Sequence, residues 1–376
     1  MKIYAKGTKV WAQEVSANLN TIQDVIKKYE EGFSGIYLDP DERDRFKQIA
    51  VETGGYSNAD DAAQHYGWYG SFAGQLVIPF VHVMELLPNV WPGSAQQRGD
   101  CVSHSNKNAI LGTMVGEVVA GQVDEITGKL ETIPEIPQAG ILSGGLSTEV
   151  SYWFRGSGGD GWYCGAAANV AIKKAGAVVR KNYPEIGIDL TKYSGSLAGK
   201  YGRSAPPENI AKELRNNLIR TAAQASSFEA IRDNLGQGRF ISSCGGEGFS
   251  KTRDKNGFSN RSGRWAHAMQ YCGADDRPEI IKMYGSPLVL VLNSWGPGWN
   301  GGPRDIFDSA KFVPADKKAL WISLDIVNPQ TGNIMIPKGS FFARWSDIKS
   351  RDCYVYAGLA GWEMQRIPTW NLNLWG

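Results

Sequence analysis

Apolar positions in the first half of the chain recur mostly at helical spacing. Ile22, Val25 and Ile26 keep that period within TIQDVIKKYEEGF, and Gly32 is the natural stop. A second helix is expected to begin at Asp39-Pro40-Asp41-Glu42, where acids suit the positive end of the helix dipole, and to end near Gly54-Gly55. A short third helix is expected after Asn58. The run from Leu76 to Leu87 is apolar and β-branched, broken by Pro79 and closed by Pro88 and Pro92. Val102, Ala109, Ile110, Met114 and Val118 then mark a buried helix over 101–119. Residues 121–160 read as Gly- and Pro-rich loop with short elements. A helix over 164–175 ends at Gly176, and two polar helices are expected near 207–221 and 227–236.

The rest of the chain carries strand signals: RFISSC, HAMQYCGA, LVLVLNSW, ALWISLDIV and SFFARW. Helix-rich first and strand-rich second is the pattern of an α+β chain with two lobes. The expected division is a helical N-terminal extension over 1–77, a helical lobe over 78–205, and a strand-rich lobe over 206–376.

Composition narrows the class. With 42% apolar and 21% charged residues and a net charge of +2, the 376-residue chain is globular, and nothing points to nucleic acid or a membrane surface as partner. Its 45 glycines suit a loop-rich architecture, and its 13 tryptophans supply large aromatic anchors. Five cysteines, at 101, 164, 244, 272 and 353, form no CxxC pair. Cys164, Cys244, Cys272 and Cys353 are expected to be structural, reduced thiols of a cytoplasmic-type compartment. The N-terminus MKIYAKGTKVWAQEV lacks the apolar core of a signal peptide, and no stretch has the ~18 apolar residues of a membrane span.

Three segments carry candidate chemistry: Gln96-Gln97-Arg98-Gly99-Asp100-Cys101, Trp265-Ala266-His267-Ala268-Met269, and Asn293-Ser294-Trp295-Gly296-Pro297-Gly298-Trp299. Together they supply the parts of thiol acyl transfer. A thiol attacks a carbonyl as thiolate, and the first turn of a helix stabilises that charge at Cys101. A protonated His267 would complete the ion pair and later protonate the leaving amine. The Asn293 amide oxygen can fix the imidazole tautomer. The Cys101 backbone N–H and an upstream Gln side chain are the natural oxyanion donors.

Here the chain resembles the papain-like cysteine peptidases. NSWGPGW resembles the family's Asn-Ser-Trp-Gly-x-Gly-Trp, and by that resemblance Trp295 shields the His267–Asn293 pair from water. Gly161 to Pro184 resembles the family's substrate ridge, helix and Tyr-Pro exit, so Gly159, Asp160 and Gly161 are expected along an antiparallel substrate backbone. Ala266 and Ala268 would line the pocket for the second residue before the scissile bond. IPFVHVMELLPNVWPGSAQQ stands where the mature family enzyme begins, and GSFFARW resembles a strand closing the second lobe. The resemblance spans residues 78–350 with gaps. It implies a two-lobe fold with a helical left lobe and a β-barrel right lobe, no cofactor and no metal.

The departures are specific. Gly99-Asp100-Cys101-Val102 is closer to calpain-type members, and the cysteine just upstream of the nucleophile is missing. The oxyanion Gln normally lies six residues before the Cys, where this chain has Ala95. Gln96 or Gln97 must serve, with Gln96 favoured. A long insertion, 300–338, follows Trp299. His104, three residues beyond Cys101, is the rival base, while His65 and His82 carry no partner pattern. Asp100 suits a substrate-facing charge or an N-cap equally.

The expectation is a cysteine endopeptidase acting on polypeptides through an acyl-enzyme. Two rivals stand beside it. One is an inactive assembly protein of a larger particle, viral or otherwise, docking through residues 1–77 or the tail with Trp362, Trp370 and Trp375. The other is an acyl or amide transferase with the same triad. Residues 1–77 read either as a pro-segment or as a docking arm.

Overall fold

A computed structural model describes residues 36–37, 40–52, 55–87, 90–91, 93–120, 145–155, 161–215, 218–307 and 326–357. The helix expected around Ile22, most of the ALWISLDIV strand, Gly159, Asp160 and the Trp-rich tail lie outside these residues. In chain order the elements are β1 (Ile36–Tyr37), α1 (Pro40–Glu52), α2 (Ala59–His65), β2 (Leu76–Val77), α3 (Phe80–Leu86), α4 (Cys101–Ala120), α5 (Thr148–Phe154), β3 (Trp162–Tyr163), α6 (Cys164–Lys173), β4 (Asn182–Tyr183) and β5 (Ile188–Asp189). There follow α7 (Gly195–Tyr201), α8 (Glu208–Leu214), β6 (Ala222–Ala225), α9 (Phe228–Gly236), β7 (Ile241–Phe249), β8 (Arg261–Asp275), α10 (Pro278–Tyr284), β9 (Leu288–Leu292), β10 (Asp305–Phe307), β11 (Ile334–Met335), β12 (Ser340–Arg344), α11 (Trp345–Ile348) and β13 (Asp352–Tyr356).

The expected order of helices before strands holds, so the chain is a mixed helix-and-sheet protein. Several boundaries follow local chemistry. Asn58 starts α2 by accepting the Asp60 N–H at 3.0 Å. The apolar run after Leu76 is not one extended segment: Pro79, at φ −62°, turns the chain into α3. Within the stretch expected as loop, Ser147 caps α5 by accepting the Val150 N–H at 3.3 Å. The helix expected to reach 221 stops at Leu214, and Ala222–Ala225 becomes a strand because β13 offers it a complete antiparallel ladder.

The main sheet has seven strands, ordered β12-β9-β8-β7-β13-β6, with β2 added alongside β8. No closed barrel forms among the described residues, which corrects the expected β-barrel. Both end strands are met by other segments instead of by each other. Gln224 of β6 donates its N–H to Ser57 O at 3.3 Å, and Phe342 of β12 donates to Gly257 O at 2.8 Å.

The α4 helix packs across β7 and β8, and its approach is set at Gly112. A Cβ there would sit 2.5 Å from Phe240 Cγ. Part of the helix–sheet interface is polar and hydrogen-bonded across: Ser105 Oγ donates to Met269 O at 2.6 Å, and Gln270 Nε2 donates to Asn108 O at 3.0 Å. The α1 helix shares this core through Phe46 and Ala50, with the Phe46 ring edge-on to Tyr354 at 4.8 Å.

One cysteine expectation is corrected. Cys164 and Cys244 form a disulfide, with Cα atoms 6.3 Å apart, because α6 and β7 meet in space across 80 residues of sequence. Cys101, Cys272 and Cys353 are free and buried. No helix among the described residues is long and apolar enough to cross a membrane.

Gly112→Ala is expected to destabilise the chain by about 1–3 kcal/mol despite alanine's better helix propensity, because the new methyl overpacks the buried Phe240 ring. A urea-unfolding midpoint unchanged or raised in that variant contradicts this account of the α4 approach.

Candidate active site

The β8 and β9 strands bring His267 and Asn293 together. Gln270 pairs with Leu292, so Asn293, just beyond β9, comes next to Met269, whose face of β8 His267 shares. His267 Nε2 lies 2.8 Å from Asn293 Oδ1. The Trp295 N–H also donates to that oxygen, at 3.2 Å. An oxygen receiving a backbone N–H is an acceptor, which makes Nε2 the protonated nitrogen and leaves the lone pair on Nδ1. The Trp295 ring stacks on the imidazole, with centroids 4.6 Å apart at 28°. Trp265 and Trp299 pack around Trp295 in turn, and Trp299 Nε1 donates to Gly339 O at 2.7 Å.

Cys101 opens α4 and is fully buried. The two polar contacts between α4 and β8 fix its neighbourhood. Ser105 meets Met269 and Asn108 meets Gln270, so helix and strand run the same way. One helical turn back from Ser105 is Cys101, and two strand residues back from Met269 is His267. The N-terminal end of α4, which carries Cys101, therefore lies toward the His267 end of β8.

Gln96 and Gln97 separate cleanly. Gln96 is buried against the Asn293-Ser294 turn: its N–H donates to Ser294 O at 2.8 Å, and Ser294 Oγ donates to its side-chain oxygen. The Gln96 Nε2 donates to Arg98 O at 2.7 Å, so the amide orientation is fixed. Gln97 is exposed and turned away, its Oε1 accepting from Gly195 N at 3.3 Å.

His104 is directed elsewhere. Its Nε2 lies 3.6 Å from Asp100 Oδ2, and its ring meets Tyr193 edge-on at 4.9 Å. Asp100 is buried and accepts from the Tyr193 hydroxyl at 2.9 Å, so it faces the protein interior. His65 is exposed beside Tyr56 and Tyr66, and His82 is buried. Among the described residues no group of three His, Cys, Asp or Glu stands ready for a metal.

The Gly161 N–H donates to Gly99 O at 3.1 Å, and its carbonyl accepts from Arg155 Nη1 at 2.5 Å. Ala266 and Ala268 are buried, and Ala268 alternates to the face of β8 opposite His267. Immediately after Gly161, β3 is paired in parallel by β1, with Ile36 opposite Trp162 and Tyr37 opposite Tyr163.

Three contributors have a role that the sequence does not show. Arg351 Nη2 donates to His267 O at 2.6 Å, while its Nη1 pairs with Glu247 Oε2 at 3.1 Å. Ser294 lies inside a recognisable motif, but its grip on Gln96 depends on a turn 198 residues away in sequence. Tyr193 reaches the loop before Cys101 from a segment with no motif.

Burial pushes the His267 imidazole down to about 3; the Asn293 hydrogen bond opposes this, while the Arg351 and His104 charges add to it. A neutral imidazole therefore replaces the expected preformed imidazolium in this structure.

No family model and no curated protein matches the chain. Among solved structures it is similar to xylellain, a cysteine protease from Xylella fastidiosa, at 14% identity and a TM-score of 0.39, over 77% of this chain and 88% of that one. The digestive procathepsin L2 proteinase from the larval midgut of Tenebrio molitor matches at 13% identity and a TM-score of 0.37, over 94% of both chains. The proform of the ragweed pollen allergen Amb a 11, a cysteine protease, matches at 14% identity and a TM-score of 0.38, over 77% of this chain and 69% of that one. Likenesses at such TM-scores carry no weight for function, which is read from the site itself.

An unfolded His binds its proton near pH 6.5, whereas folded His267 does so near 3. The unfolded chain thus binds more protons between those values, and stability is lost as pH falls through that window. Lys107, lowered to about 7 by burial, is largely protonated below it. Between pH 6.5 and 5.5 the stability should fall with a slope approaching about 1.4 kcal/mol per pH unit. His267→Gln should flatten that slope in denaturant titrations; an equal slope in the variant refutes the assignment.

Proposed function

We propose that the chain is a papain-like cysteine peptidase of the two-lobe α+β kind, with Cys101 as nucleophile, His267 as base and acid, and Asn293 as its orienter. The observation that carries this is the His267–Asn293 hydrogen bond under Trp295, at the end of β8 toward which α4 presents Cys101. The amide of Gln96, fixed by Ser294 and Arg98 O, supplies the side-chain oxyanion donor.

The steps follow from this assignment. The Cys101 thiol passes its proton to His267 Nδ1 as sulfur attacks the peptide carbonyl. The tetrahedral oxyanion is held by the Cys101 N–H and Gln96 Nε2. The C–N bond breaks as the imidazolium protonates the leaving amine, giving a thioester. Water, deprotonated by His267, then cleaves the thioester to release the acid and restore the thiol. Trp295 keeps water from competing for the Asn293 oxygen. Substrate would pair along the edge of β3, with Ala266 and Ala268 bordering the adjacent pocket.

The parallel pairing of β1 with β3 favours the pro-segment reading of the N-terminal extension over the docking arm. A substrate strand is expected antiparallel on that ridge, so β1 occupies the edge in the reverse direction. It blocks access without presenting a scissile bond. The complete burial of Cys101 and His267 agrees with such a closed state.

The same burial supports a second reading, a papain-like assembly protein that does not turn over. An electrophile selective for activated thiols, applied to the chain lacking residues 1–39, separates the two, because a Cys101 silent there belongs only to the second. Product carrying an added amine in place of water would instead indicate a transferase.

Cys101→Ala should abolish peptide hydrolysis while keeping the circular dichroism spectrum; retained hydrolysis overturns the mechanism. Removing residues 1–39, which spares the Phe46 and Ala50 anchors of α1, should raise kcat/KM on a peptide substrate by at least about tenfold. Equal or lower activity in the shortened chain rejects the blocking role of β1.

A further inference from the structure

The loop from Gln96 to Asp100 must hold two things in register: the Gln96 amide and the first turn of α4. It is one residue shorter than the six-residue Gln-to-Cys spacing of the family the chain resembles, so its shape has to be imposed from outside. One side is held by Ser294, which takes both the backbone and the side chain of Gln96. The other side is held by a three-residue segment on the far lip, Tyr193-Ser194-Gly195.

The contacts of that segment form a closed set. The Gln97 N–H donates to Tyr193 Oη at 3.0 Å, and Tyr193 Oη donates to Asp100 Oδ2 at 2.9 Å. The Gly195 N–H donates to Gln97 Oε1 at 3.3 Å, and Arg98 Nε donates to Gly195 O. A Cβ on Gly195 would lie 2.6 Å from Gln97 Cβ, so the two segments are in close contact. The segment itself is anchored in the core. The Ser194 N–H donates to Glu149 Oε1 at 2.9 Å, and the buried Glu149 carboxylate pairs with Arg180 Nη2 at 2.8 Å.

We propose that Tyr193 is a positioning residue for the oxyanion loop: its single hydroxyl joins the backbone of Gln97 to the side chain of Asp100, fixing the Gln96 amide relative to Cys101. Tyr193 touches neither substrate nor the reacting atoms. Its hydroxyl is the only group in the set that contacts both ends of the loop. Burial and the Asp100 carboxylate push the phenol well above its ordinary value, so the O–H stays a donor across the working pH range. The proposal rests on the peptidase reading above, and the experiment separates the two.

Tyr193→Phe removes the hydroxyl and keeps the ring that packs on His104. In the full chain, kcat for a peptide substrate should fall about tenfold, since a loosened donor costs less than the 10²–10³ of an absent one. KM should stay within about twofold. Alkylation of Cys101 by iodoacetamide, a displacement that needs no oxyanion donor, should keep its rate within about twofold. The Gln97 amide should lose hydrogen-exchange protection. Wild-type kcat in Tyr193→Phe, or an equal fall in hydrolysis and alkylation, overturns the positioning role alone. If neither the full chain nor the one lacking residues 1–39 shows Cys101-dependent hydrolysis, the peptidase reading falls and the positioning role falls with it.

Discussion

The docking of α4 on β8 is the constraint on which the rest depends. A buried helix carrying Ser103, His104, Ser105, Asn106, Lys107 and Asn108 in its first turns is an unusual core element. Several of its polar groups meet sheet partners, among them Ser105 with Met269 O and Asn106 Nδ2 with Tyr356 Oη. Those bonds allow one registry and not a sliding apolar contact. Shifting the helix by one residue would strand several buried donors at once, and Phe240 against Gly112 sets how closely the helix approaches the sheet. The polar interface thus sets the position of Cys101 relative to the His267 strand.

Much of this was legible from residue patterns. The β8 and β9 strands announce themselves through β-branched and aromatic runs, and the helix after Cys101 through Val102, Ala109 and Ile110. The Asn-Ser-Trp-Gly segment identifies a turn whose oxygen meets His267. The open ends of the sheet were not legible, because closure depends on whether Ser57 or another strand reaches β6. Neither was the Cys164–Cys244 bond, since spacing says nothing about which elements fold against each other. The α5 helix was hidden by neighbouring glycines and prolines, although Ser147 and Glu149 carried a capping signal. Tyr193 and Arg351 were invisible for a common reason. Each is a single residue acting over at least 84 positions of sequence, where no local period exists.

The site joins opposed electrostatic demands. Thiol chemistry gains from an imidazolium, but the buried imidazole of this structure is neutral. Arg351 contributes to both sides, since its hydrogen bond orients the His267 carbonyl while its charge disfavours a second cation nearby. Glu247 offsets part of that charge. Admission of water to the site would relax the burial that holds the imidazole neutral, so access and protonation are coupled.

The Cys164–Cys244 bond bears on how such access can arise. Cys164 directly follows β3, and Cys244 precedes Gly245, the residue opposite His267. The cross-link therefore ties the ridge to the sheet close to the imidazole. Any separation of helical part and sheet must pivot about that covalent point, as a door turns on its pin, and cannot be a uniform parting. The widest gap would then appear at the end farthest from the bond, which gives the opening a direction as well as a size.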